Sequence, residues 1–199
     1  MIRTLNSLRF ILILMIVISH STLPISQDLI NYLGEFPVAI FFVISGFVLS
    51  LSKGEKLQKE VLGNRNFFLS RIIKLYPLHI LILAILILMD WRLGRILPWY
   101  QILSHSLLIQ TWYPAHDFTA HLNEATWFIS DLIFFYLIFK YLYALIMRHS
   151  WLYLLATISI YMAVYISISL CAQADYSAGY IYIHPLFRMI DFMIGILLY

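Results

Sequence analysis

Five long apolar stretches decide what this chain can fold into: Leu8 to Leu23, Pro37 to Ser52, Ile72 to Trp91, Trp127 to Met147 and Trp151 to Cys171. A helix that crosses a bilayer needs roughly 20 mainly apolar residues, or somewhat fewer where flanking Lys or Arg reach back to the interface. Each stretch meets that length. A sixth apolar run starts near His184 and continues to Tyr199 with no basic flank, so the chain reads as cut off inside a helix. Only 12% of the 199 residues are charged, against 62% hydrophobic. A soluble domain carries about a quarter charged residues, so too few are present here to cover a water-facing surface. The expected fold is an all-α, polytopic transmembrane helix bundle of about six membrane helices. One further helix, interfacial or re-entrant, is expected over residues 96–112, where Pro98, Gln101, Ser104, His105 and Gln110 interrupt an apolar run. With no repeat, low-complexity tract or linker, residues 1–199 read as a single transmembrane domain, incomplete at its C-terminus.

Charge sets the orientation. With a cytoplasmic N-terminus, Arg3, Arg9, Lys53, Lys56, Lys59, Arg65, Arg71, Lys74, Lys140 and Arg148 all fall inside, and only Arg92 and Arg95 fall clearly outside. That is the bias expected of a multi-pass protein. Trp91, Trp99, Trp112 and Trp127 then gather near the outer interface, where an indole is half wet. The N-terminus lacks a small-residue cleavage site after its apolar run, which favours an uncleaved first helix. The formal net charge of +3 is spread by side rather than in a patch, so no nucleic-acid partner is implied. Cys171 is the only cysteine, which excludes an internal disulfide and fits a small residue against lipid or a neighbouring helix.

Ionisable groups inside an apolar bundle are expensive and mark candidate sites; here they are Arg9, His20, Arg71, His79, Asp131, Arg188 and Asp191. Arg9 and His20 are eleven residues apart, about three turns, so they share one helix face with about 16 Å between them along the axis. Together they trace a polar stripe, whereas taken singly each reads as a helix-end residue. Ser45 and Gly46 sit mid-span, where the missing side chain lets another helix approach. Arg71, ahead of Tyr76 and Pro77, is either a topology anchor or a cation for a phosphate group. Trp127 and Asp131 stack at i, i+4 beside Ser130 and ahead of Tyr136. Asp131 is either a first-turn acid favoured by the helix dipole or a carboxylate that orients a His or Arg from another helix. Arg188 and Asp191 at i, i+3 are placed to neutralise each other. His116, Asp117 and His121 look faintly like metal ligands, but their spacing matches no standard site and no metal is expected.

In this order the residues resemble the acyltransferase-3 family of membrane O-acyltransferases. The resemblance rests on Asn6-Ser-Leu-Arg9 with His20, then Phe41-Phe-Val-Ile-Ser-Gly-Phe47, then Arg71 to Tyr76-Pro77. It continues with Gln110-Thr-Trp112, Trp127-Phe-Ile-Ser-Asp131 running into Tyr136, and Arg188, Asp191, Phe192 and Gly195. The family usually has glutamate where Asp131 and Asp191 stand, and it continues through several more helices. The resemblance implies transfer of an acyl group, with acetyl expected, from cytoplasmic acyl-CoA to a hydroxyl of a cell-surface or lipid-linked glycan, in a bacterial inner membrane. Acyl-CoA is then a donor substrate and no cofactor stays bound. Under that implication His20 is the general base, because an imidazole takes a hydroxyl proton near neutral pH. Arg9 and Arg71 hold the donor's phosphates or polarise its thioester, and Asp131 orients. Tyr76, Trp127, Ser130 and Arg188 line the substrates. Two other readings stay open: a transporter or sensor that uses the Arg/His stripe as a proton or solute path, and a purely structural anchor.

Overall fold

The computed structural model describes residues 2–22, 24, 26–60, 62–112, 122–171 and 182–199, and among them every regular element is helical. Helix α1 (Ile2–Ser19) stops where side chains begin to compete for its carbonyls. Ser19 Oγ and His20 Nδ1 both bond the Ile16 carbonyl, and Ser21 Oγ donates to that of Ile18, an alternative to helix continuation that serine offers readily. The expected first span, Leu8 to Leu23, therefore ends four residues early.

Helix α2 (Gln27–Leu49) starts well before the Pro37 boundary read from the apolar run. Ser26 is extended at φ −62, ψ 146 and Asp28 occupies the first turn, a start signal that outweighs the backbone hydrogen bond Pro37 forgoes. The helical path continues through a π-helical stretch, Ser50–Gly54, into α3 (Glu55–Gln58). Helix α4 (Asn64–Arg92) likewise starts earlier than expected, after Gly63, so Arg71 stands in its second turn and Pro77 lies inside it. Phe67, 1% exposed, explains the early start: its ring packs on Tyr136 and Phe139 and anchors an otherwise polar turn. Three helical segments, Gln27–Gln58, Asn64–Arg92 and Trp127–Arg148, are long and apolar enough to cross a membrane.

The interrupted segment forms a short helix, α5 (Trp99–Ser106), and 3₁₀ turns at Gln110–Trp112 and Glu124–Thr126. It folds against the bundle rather than crossing it. Tyr76 donates to the Ser106 carbonyl (2.8 Å) and His79 Nε2 donates to that of His105 (2.9 Å).

Helical backbone then runs from Trp127 to Cys171 (α6, 45 residues), where two separate spans were expected. Contacts with α7 (Pro185–Leu197) show that this run is not straight. In a straight helix residues 135 and 161 would lie about 39 Å apart. Yet Phe135 stacks on Phe192 (4.9 Å) and Tyr161 meets Phe187 (5.1 Å), five residues away on α7. Following α7 from Arg188 to Tyr199, its partners in the first half of α6 ascend, from Trp127 through Phe135 to Tyr143. Its partners in the second half descend, from Tyr161 at Phe187 to Thr157 at Met193. The run therefore doubles back between residues 143 and 157. Reporters fused after Lys59 and after Ser150 should read one side of the membrane, and one fused after Thr22 the other. Agreement of all three would contradict this fold. The sixth expected span is realised as the 13-residue α7, about 20 Å long and short of the ~30 Å hydrocarbon core.

The core is a column of rings from three helices. Phe42 meets Phe128 (4.6 Å) and Phe135 (5.3 Å), and Phe135 and Phe139 flank Phe192. In lipid such packing stabilises through close van der Waals fit rather than release of water. The closest fit is between α2 and α7. A Cβ on Gly46 would strike the Phe192 carbonyl oxygen, and one on Gly195 would strike that of Val43. The two glycines are a reciprocal contact of bare backbone on bare backbone.

Candidate functional site

These pairings place the sequence-derived site residues at three depths. At one end, where α1 meets α2, a cavity of about 630 Å³ is lined by α1, α2, the start of α6 and Tyr182. His20 and Trp127 face it. His20 lies just beyond α1, on an exposed turn rather than within the helix. Its Nδ1 is 2.9 Å from the Ile16 carbonyl, which can only accept, so in the neutral ring Nδ1 carries the proton and Nε2 holds the lone pair. That is the tautomer a general base requires. Asn31 and Glu35 line the same cavity and were not singled out from sequence, because both fall in what read as the loop before the second span.

One turn deeper lie Asp131 and Arg188. Asp131 is fully buried, and among the described residues neither carboxylate oxygen has a hydrogen-bond partner of good geometry. Thr111 is beside it, but Ser130 Oγ donates to the Leu108 carbonyl (2.5 Å), so the Thr111 hydroxyl must spend its proton on Ser130 (2.8 Å). The charge facing Asp131 is that of Arg188. Arg188 in turn donates to the Tyr182 carbonyl (2.6 Å) and to Asp191 (3.1 Å), and its guanidinium lies 4.0 Å from the Tyr182 ring centre and 5.9 Å from that of Trp127. The local Arg188–Asp191 pair anticipated from the i, i+3 spacing is thus present. Burial is the main influence on the Tyr182 phenol; it outweighs the Arg188 charge and, with Glu35 and Asp191 adding to it, pushes the group up to about 12. Arg188 therefore rests on a neutral ring.

At the far end Arg71 lies over Phe67 (5.4 Å) and Tyr136 (5.7 Å), with its Nε buried and unbonded. Arg9, half-buried, is also within electrostatic reach of Tyr136. Two cations far apart in sequence thus converge on one phenol. Tyr76 and Ser130, read from sequence as substrate-lining, spend their hydroxyl protons on backbone carbonyls, where they hold α5 and the 3₁₀ turn in place. His116, Asp117 and His121 lie outside the described residues; among the described ones no three His, Cys, Asp or Glu side chains are grouped to hold a metal ion.

The described helices, with their apolar spans, thus hold an imidazole on a cavity at one end and two guanidiniums within electrostatic reach of one phenol at the other. A family of acyltransferase domains matches residues 2–199. The chain belongs to that acyltransferase-3 family, a membrane-associated one. It is similar to the acyltransferase MdmB of Streptomyces mycarofaciens, with 32% identity over 124 residues, which is 60% of this chain and 31% of that protein. The chain thus aligns with about a third of that relative's length. No solved structure matches it.

Proposed function

We propose that the protein is a membrane O-acyltransferase that moves an acyl group, acetyl in our reading, from cytoplasmic acyl-CoA to a hydroxyl of a cell-surface or lipid-linked glycan. The observation that carries this reading is the His20 imidazole at the cavity, with its proton fixed on Nδ1 by the Ile16 carbonyl. In the reaction Nε2 takes the proton of the acceptor hydroxyl as its oxygen attacks the thioester carbon. The carbon–sulfur bond breaks, an ester forms, and the proton passes to the departing thiolate. Arg9 and Arg71 supply the charge for the donor's phosphates at the opposite end, where charge-assisted bonds are strongest. Arg9 and His20 are about 16 Å apart along α1, so the donor's arm must span that distance to bring the thioester to the base. Asp131, buried and without a donor of its own, orients a neighbouring group or the substrate. This reading adopts the six-span arrangement in a bacterial inner membrane with a cytoplasmic N-terminus, supported by the basic residues gathered on one side.

Arg9→Lys tests it. Lysine keeps the positive charge that sets topology but lacks the planar, bidentate fork. The variant should insert and accumulate normally while losing most acyl transfer and raising the KM for the donor. Unchanged donor kinetics would remove Arg9 from the site.

A further inference from the structure

The fully charged group that lines the His20 cavity is an anion. Among the fourteen lining residues Glu35 carries the charge, and neither Lys nor Arg is present. Its carboxylate makes no hydrogen bond or ion pair among the described residues and is exposed to the cavity mouth. Gly34 packs on Ser19, where an added Cβ would come within 3.2 Å of the serine oxygen, and the residues that follow them, Glu35 and His20, both line the cavity beside this helix crossing. Arg188, behind the Tyr182 side of the wall, is bonded to Asp191 and to the Tyr182 carbonyl and covered by the Tyr182 ring. The remaining walls are aliphatic or aromatic, with Phe41, Trp127, Phe128 and Tyr182 presenting ring surfaces whose negative faces favour cations over anions.

We infer that Glu35 selects the acceptor: the cavity takes a hydroxyl compound with an apolar face and a protonated amine, accepts neutral analogues less well, and rejects anionic ones. This rests on the acyl-transfer reading for the fate of the hydroxyl, but the selection itself is a binding property. A solvent-exposed ion pair is worth up to about 1 kcal/mol, so discrimination of roughly two- to fivefold per charge step is expected.

The experiment uses the intact protein in phosphatidylcholine discs at pH 6.5 and three probes that differ in one group: phenyl glucoside, phenyl 2-amino-2-deoxyglucoside and phenyl glucuronide. Calorimetric titration without acyl donor should rank wild-type affinity as amine above neutral above carboxylate. In Glu35→Gln the three should converge to within about a factor of one and a half, with the neutral glycoside unchanged. Equal ratios in both proteins, no preference in wild type, or no binding of any probe would overturn the inference. The same trio, offered with labelled acetyl-CoA, separates the two claims. Charge-ranked binding without label transfer would sink the acyl-transfer reading and leave the selection standing, whereas transfer blind to charge would sink the selection and leave the transfer.

Discussion

Replacing His20 with alanine in the intact protein is expected to cut acyl transfer by about 10² to 10⁴, the usual worth of a positioned general base. Membrane insertion and abundance should stay near wild type. The imidazole lies on an exposed turn beyond α1, and among the described residues its hydrogen bonds go to groups of its own chain segment, Ile16 and Ser19. It is exposed, so its loss leaves the bundle intact. Initial rates, normalised to the protein present in purified membranes, must resolve at least a hundredfold change. A variant that keeps more than about a tenth of wild-type turnover, well above that range, would show that another group takes the proton.

Gly195→Ala should be the most damaging single-methyl change in the chain. The new Cβ meets the backbone of Val43 and Phe47, and backbone cannot swing aside as a side-chain end does. Overpacking ordinarily costs about 1–3 kcal/mol, and here the only relief is to part α2 from α7, which also opens the Phe42, Phe135 and Phe192 stack. We expect a large fall in apparent Tm in detergent and loss of most protein from the membrane fraction. Gly46→Ala should behave alike. Gly63→Ala is the control, because its Cβ would reach nothing closer than the Asn66 side chain at 3.9 Å; equal stability of Gly195→Ala and Gly63→Ala would refute the contact.

Much of this was legible in the sequence because two periodic signals, apolar length and the sidedness of Lys and Arg, are strong in membrane proteins. The closely packed Gly46, the Arg188–Asp191 pair and the non-crossing middle segment all follow from local spacing. Helix starts were less legible. Hydropathy marks where lipid begins, not where the backbone becomes helical, so Gln27 to Phe36 and Asn64 to Arg71 were read as flanks although they are helix. That error hid Asn31 and Glu35, which reach the cavity only because α2 extends past Pro37. The spending of Tyr76 and Ser130 on the carbonyls of Ser106 and Leu108 was invisible for another reason, since those partners lie 30 and 22 residues away. The convergence of Arg9 and Arg71 on Tyr136 is likewise a long-range fact; sequence placed both cations at one end of the bundle without the phenol between them.

The most direct test of acyl transfer as the work of this bundle is a sealed-vesicle assay with the intact protein and acetyl-CoA labelled in the acetyl group. The donor is supplied on the Arg9 side and a hydroxylated acceptor on the His20 side. The expected result is covalent label on the acceptor with an equal amount of free CoA left on the donor side, both lost in His20→Ala. Passage of solute or protons across the vesicle without consumption of acetyl-CoA would contradict it and identify the Arg/His stripe as a transport path.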